Sequence, residues 1–258
     1  MGVGFVEMSL LVTIFIAFML GYIVTGLVGF GGNVLILPLL SLMDYPVHDI
    51  VVVMAFVSFV NALYRVVECH KAVEWGRLIK LWCLTIPGAF LGVWLLKNLP
   101  EDALKLLLGV FVIILAAFNL LKKHEFETPA MLRHEMRIKR IFYHILLFVG
   151  GILQGAFVCG GPLYVIFCSH YFGYDRPKYR GMQFGIMVVN SFIVFVSYWL
   201  HGDYIGHVAV QCIPALLGIV LAVFFSGCLL DRINDRRLYI LIQIVLLVSG
   251  GNLVMQFF

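Results

Sequence analysis

The sequence predicts an all-α integral membrane protein made of two repeats of inverted topology, each a broken or re-entrant helix hairpin followed by three transmembrane helices. Three observations point there. Hydrophobic residues make up 62% of the 258 and charged residues only 12%, with a mean hydropathy of +1.03, a composition that places the chain among polytopic membrane proteins. Glycine-rich stretches interrupt a long apolar run in each half, GLVGFGGNVLILPLL from Gly26 to Leu40 and GGILQGAFVCGGPLYVIF from Gly150 to Phe167. All but Lys97 and Lys105 of the 18 Lys and Arg residues gather in four loops, so the net charge of +4 reports orientation in the membrane, not nucleic-acid affinity.

The first apolar run, Met8 to Met43, has 36 residues without a charge. As one helix it would measure roughly 54 Å against a hydrocarbon core of roughly 30 Å, so it has to break or fold back. Gly29 to Gly32 is where the chain permits it. The loop Asp44 to Asp49 then leads into three uninterrupted spans, near Val47 to Val67, Leu78 to Leu96 and Ala103 to Leu121. A polar stretch holding Lys122, Lys123, Arg133, Arg137, Lys139 and Arg140 follows. It divides a first repeat, 1–123, from a second, 141–258, with residues 124–140 as a cytoplasmic linker. The second repeat opens on the apolar run Ile141 to Phe172 and continues with spans near Gly181 to Leu200, Val208 to Leu230 and Leu238 to Phe258. No Lys or Arg precedes Arg65, so the cationic region of a cleaved leader is missing and the first apolar segment is expected to stay.

A shift of 129 positions lays Gly21 on Gly150, Gly26 on Gly155, Gly31 and Gly32 on Gly160 and Gly161, and Asn61 on Asn190. Nearby shifts align Pro46 with Pro177, Pro87 with Pro214 and Asn119 with Asn252. Glycine matches alone are cheap in such a chain. Buried asparagines and prolines in one shared order are not.

The four basic loops, 65–80, 122–140, 176–180 and 232–237, should face the cytoplasm. One crossing per apolar run would put the two loops flanking 141–172 on opposite sides, although both are basic. A hairpin in that run, and in its first-half counterpart, removes the conflict. The two repeats are then inverted and both termini lie outside, in the periplasm if the membrane is a cell inner membrane. Eight simple crossings with one exception to the positive-inside rule is the competing layout.

A broken helix inside the bilayer leaves backbone groups that hydrocarbon cannot satisfy, so the break must face protein or a water-filled cavity. The segments after the glycines, Asn33 to Leu42 and Pro162 to Phe172, read as half-helices whose N-terminal amides carry partial positive charge. Asn33 suits an N-cap, and Pro162 the first helical turn. Two such ends meeting near the midplane would cradle a small anion without a full positive charge. The candidate substrate-binding residues are therefore Phe30, Gly31, Gly32, Asn33, Gly160, Gly161 and Pro162, with Asn61, Asn190 and Gln154 as polar lining. The competing reading is that the glycines serve close helix packing. Arg65 is expected to snorkel to the interface, and Asn119 and Asn252 to bond neighbouring helices.

The chain resembles the TauE/SafE family of membrane permeases, also called the toluenesulfonate uptake permeases. The resemblance covers essentially the whole chain and rests on two glycine-marked halves, on the pattern GxxGFGGxxxxxP at Gly26, Gly29, Phe30, Gly31, Gly32 and Pro38, and on GGP at Gly160 to Pro162. It implies a multi-pass carrier of small sulfur-containing anions, such as sulfite, thiosulfate or an organosulfonate, in the inner membrane. It also implies anion binding at Gly31, Gly32, Asn33, Gly160, Gly161 and Pro162. Asn33 departs from the family pattern, standing where a third glycine is frequent.

The partners expected are a small anionic substrate and the lipid bilayer, with protons as the candidate coupling ion and no nucleic acid. All 14 Asp and Glu lie in loops or near span ends, so no deep carboxylate marks a proton path; His144 and His170, beside the second hairpin, are the titratable candidates. No cofactor and no metal site is expected, because the six cysteines lack CxxC spacing and His48 with Asp49 supplies too few ligands. The chain is not expected to be an enzyme. Glu68-Cys69-His70 and His201-Gly202-Asp203 are the compact clusters an intramembrane enzyme would need, and the topology puts them on opposite faces. A permease for another solute or a metal is the remaining alternative.

Overall fold

The computed structural model describes residues 2–28, 31–41, 43, 45–121, 137–172, 176–202, 206–229, 251 and 255. The expected final span from Leu238, Phe30, Asn252 and the linker as far as residue 136 lie outside the described residues. The described chain is helical: α1 (Gly2–Val28), α2 (Gly32–Ser41), α3 (Val47–Glu68), a 3-10 turn (His70–Ala72), α4 (Trp75–Asn98), α5 (Glu101–Leu121), α6 (Arg137–Phe157), α7 (Gly161–Phe172), α8 (Arg176–His201) and α9 (His207–Leu229). Helix is the form in which an apolar segment satisfies all its own backbone groups without water.

Segments Val47–Glu68, Trp75–Asn98, Lys178–His201 and Val208–Ser226 are each long and apolar enough to cross a membrane. Their ends carry the charges the helix dipole favours: Asp49 in the first turn of α3 and Arg65 in its last, Lys97 in the last turn of α4, and Glu101 and Asp102 opening α5. The expected spans Val47 to Val67, Leu78 to Leu96, Ala103 to Leu121 and Gly181 to Leu200 fall inside α3, α4, α5 and α8, which extend up to five residues beyond them, and Val208 to Leu230 matches α9 as far as Leu229.

Both long apolar runs are broken where the glycines fall. The first breaks between Val28 and Gly32, the second between Phe157 and Gly161. In each case the second piece turns back along the first. A Cβ on Gly21 of α1 would strike Ile36 of α2, and one on Gly150 of α6 would strike the Tyr164 ring of α7.

Two compact units make up the described chain. The first holds residues 1–57, 99–121 and 201–258, and the second residues 58–98 and 122–200. Each unit therefore draws helices from both halves of the sequence. In the first, α1 packs on α2 and α9, and α2 on α5. A Cβ on Gly218 of α9 would lie 2.8 Å from the Phe15 carbonyl oxygen of α1. In the second unit α6 packs on α4 and α7. There a Cβ on Gly92 of α4 would run into the Ile152 carbonyl, and one on Gly155 of α6 into the Ala89 carbonyl. Small residues let two membrane helices approach backbone to backbone, where van der Waals contact replaces a hydrophobic drive that lipid does not supply. The core of the second unit joins Leu78, Leu147, Tyr164, Phe167, Met182 and Ile186.

Candidate functional site

The first break begins at the C-terminal end of α1. Thr25 turns its hydroxyl back to the Gly21 carbonyl at 3.2 Å, and the same Oγ1 accepts the Gly32 N–H at 3.1 Å. Gly31 has φ of +98°, a conformation open to glycine and strained for other residues. Its carbonyl accepts the Leu35 N–H at 3.1 Å, which makes Gly31 the cap of α2. Asn33, expected as the N-cap, is instead the second residue of α2 and half-buried. The shift is physical: Gly31 bends the chain before Asn33 is reached. A Cβ at Gly31 would meet nothing within 4 Å, so this residue borders open space.

The second break repeats the device with different side chains. Gln154, deep in α6, accepts the Gly160 N–H at Oε1 over 3.0 Å and donates from Nε2 to Ser191 Oγ of α8, also at 3.0 Å. Helix α6 ends on Val158, whose φ of +54° is the left-handed cap conformation and whose N–H reaches the Gln154 carbonyl at 3.1 Å. A β-branched residue is strained there, and such strain persists only where the surroundings enforce it. Val158 is fully buried. Gly160 caps α7, its carbonyl accepting from Leu163 at 3.1 Å and Tyr164 at 3.2 Å. Pro162 sits in the first turn of α7, as expected.

Each hairpin is closed by a backbone approach of its own. A Cβ on Gly32 would collide with the Gly21 carbonyl, and one on Gly160 with the Gly150 carbonyl. Thr25 and Gln154 themselves stand 129 positions apart, the repeat offset. Thr25 reaches seven residues ahead and Gln154 six, so in breaks of equal length the bonded amide lies one position later in the first.

These contacts sort the expected residues into two kinds. Gly32 and Gly160 spend their amide hydrogens inside their own hairpins, and packing alone accounts for their lack of a side chain. Gly31 is half-buried beside open space, and Gly161 is buried without a tight contact. The nearest atoms to a Cβ on Gly161 are Met187 Sδ and Cε of α8, both 4.0 Å away. One turn further along α8, Asn190 donates from Nδ2 to Tyr164 Oη at 3.0 Å. Its Oδ1 is buried with no partner among the described residues. Asn61 is buried in α3. Arg65 bonds Glu68 at 2.9 Å and lies over the Tyr64 ring. In the cluster at 68–70, Glu68 is held by that ion pair and the His70 ring nitrogen by the Val67 carbonyl at 2.7 Å. Asp203 lies outside the described residues.

Sequence reasoning passed over Thr25, Tyr164 and Ser191. The repeat offset was the available signal for Thr25, since it lays this residue on Gln154.

A family model described as sulfite exporter TauE/SafE matches residues 13–253. No curated protein and no solved structure matches the chain. A match of that extent takes in both glycine-marked hairpins and every described helix beyond the first turns of α1, and the chain belongs to the sulfite exporter TauE/SafE family of multi-pass membrane transporters.

Proposed function

We propose that this protein is a permease for a small sulfur oxyanion or organosulfonate, with sulfite and thiosulfate as the leading substrates, working by alternating access. The observation that carries the reading is a pair of glycines at the starts of α2 and α7: Gly31, which borders open space, and Gly161, buried but with room for a methyl group short of Met187. A half-helix start presents backbone N–H groups and the positive end of the dipole, which suits an anion that must also be released. Around Gly161 the surfaces are Met187, Pro162 and the face of α8 that carries Asn190. At Gly31 the adjoining polar side chain is Asn33. In the first unit Phe30 and Gly32 join Gly31 and Asn33 as proposed binding residues, and in the second Asn61, Gln154 and Gly160 join Gly161, with Gln154 and the amides of Gly32 and Gly160 shaping the breaks.

In this reading the two sequence halves are inverted repeats, the basic loops face the cytoplasm and both termini lie in the periplasm. A negative cell interior then favours export of an anion by roughly 2.3 kcal/mol per charge per 100 mV, so export needs no dedicated coupling residue. The test is flux in proteoliposomes loaded with sulfite, thiosulfate, an organosulfonate or chloride under an imposed potential. The expected result is faster efflux of at least one sulfur anion than from protein-free vesicles, with chloride unchanged. Equal leakage for the whole panel removes the proposal.

A further inference from the structure

Away from both breaks, the second unit gathers charge where the end of α3 and the starts of α4 and α8 meet. The contact is tight. A Cβ on Gly181 of α8 would lie 3.4 Å from Cys69 Cβ and 3.1 Å from Val73 Cγ2, and the Glu74 N–H points at Met182 Sδ over 3.3 Å. Three of the cations here have carboxylate partners: Arg65 with Glu68 at 2.9 Å, Arg77 with Glu74 at 2.9 Å, and Lys178 with Glu74. The fourth, Arg180, has a half-buried side chain whose Nε is shut off from solvent and meets no hydrogen-bond partner among the described residues.

A desolvated, unpartnered guanidinium N–H is costly, because water's hydrogen bond has been removed and nothing put in its place. The planar fork of an arginine matches two oxygens of a tetrahedral oxyanion, and Arg65, one turn before Cys69, supplies a second guanidinium. Cys69 lies between them in the chain geometry, its N–H bonded to the Arg65 carbonyl at 3.0 Å and its Cβ against Gly181, the neighbour of Arg180. Burial and the adjacent Glu68 carboxylate push the Cys69 thiol up, while Arg180 and Arg65 pull it the other way, so both guanidinium fields reach the sulfur.

We infer that the end of α3 and the start of α8 form a second anion site, taking the oxyanion group of a sulfur or phosphorus acid, with Arg180 and Arg65 as its ligands beside Cys69. The group can arrive as a free inorganic anion from water or as the phosphate of an anionic lipid. The site stands apart from the transport reading and does not depend on it.

Cys69 reports on the site. Full-length protein in phosphatidylcholine nanodiscs is treated with N-ethylmaleimide, and modification of the Cys69 peptide is followed by mass spectrometry while sodium sulfate replaces sodium chloride at constant ionic strength. A bound oxyanion covers the thiol and suppresses its ionisation, so the expected result is a saturable slowing of at least threefold in wild type. Arg180→Gln abolishes the slowing, and Arg180→Lys, which keeps the charge without the fork, retains a weaker form. If lipid phosphate is the occupant, phosphatidylglycerol nanodiscs slow Cys69 without added sulfate, and Arg180→Gln removes that difference. A wild-type rate indifferent to both sulfate and phosphatidylglycerol overturns the inference, as does equal slowing in Arg180→Gln. Anion flux is not part of the readout, so either proposal can fail while the other stands.

Discussion

Gln154 holds the amide of Gly160, six residues ahead, with a 3.0 Å hydrogen bond across the break between α6 and α7. The other end of the same side chain reaches Ser191 on α8, so one buried amide ties the hairpin turn to the helix behind it. Replacing Gln154 with Leu keeps the volume and orphans the Gly160 N–H, a loss of about 1–3 kcal/mol. The expected outcome is a lower unfolding midpoint in detergent with anion flux lost or strongly reduced. Thr25→Val should do the same to Gly32, and Thr25→Ser should behave as wild type. A Gln154→Leu protein with wild-type midpoint and flux would show that the bond does not shape the break.

Glycine packing gives a separate expectation in the second unit. Gly92→Leu forces a branched side chain into the Ile152 carbonyl at the α4 and α6 seam, and overpacking of this kind costs about 1–3 kcal/mol or more. Size-exclusion chromatography should show aggregated or poorly recovered protein. Gly76→Leu, at a position where a Cβ meets nothing within 4 Å, should elute normally. Equal recovery of the two would contradict the close backbone approach.

Glu74 caps α4 through its carbonyl and pairs with Lys178 and Arg77. The hydrogen bond from Lys178 is the main reason its carboxyl is held below the usual 4.5. A carboxylate depressed in the folded state adds stability above its unfolded value and loses that stability as pH falls through the folded one. Unfolding midpoints measured from pH 7 downward should therefore separate wild type from Glu74→Gln above pH 4.5, and the two curves should converge below it. A constant gap at every pH would mean that Glu74 acts without its charge.

The topology has its own test. A single added cysteine at Asp49 or at Asp203 should react with a membrane-impermeant maleimide applied from outside, and one at Lys123 or Lys178 should not. Labelling of position 178 from outside would restore eight simple crossings in place of inverted repeats.

The breaks were legible because each charge-free run is too long for a single crossing and its glycines mark where a helix can stop. Their fine structure was not. Asn33 looks like a cap by residue type, yet a residue with φ of +98° at Gly31 turns the chain first, and no side chain advertises that conformation. Gly160 reads as a ligand because glycine is equally consistent with a close anion and a close carbonyl, and the approach of the Gly150 carbonyl shows only in the folded chain. Thr25 bonds back to Gly21 as any helical threonine can, and its second bond to Gly32 exists only once the hairpin has closed. Arg180 is visible as a charge, whereas the burial of its Nε without a hydrogen-bond partner arises from how α3 and α8 meet.

Gly161→Ala tests the central claim most directly. The substitution adds one methyl group that meets nothing nearer than Met187 at 4.0 Å, so the fold should survive while the added group fills the space proposed for the anion. Proteoliposome flux of sulfite and thiosulfate should fall at least tenfold with the unfolding midpoint within about 0.5 kcal/mol of wild type. Wild-type flux from a correctly folded Gly161→Ala protein would show that the anion does not pass against the start of α7.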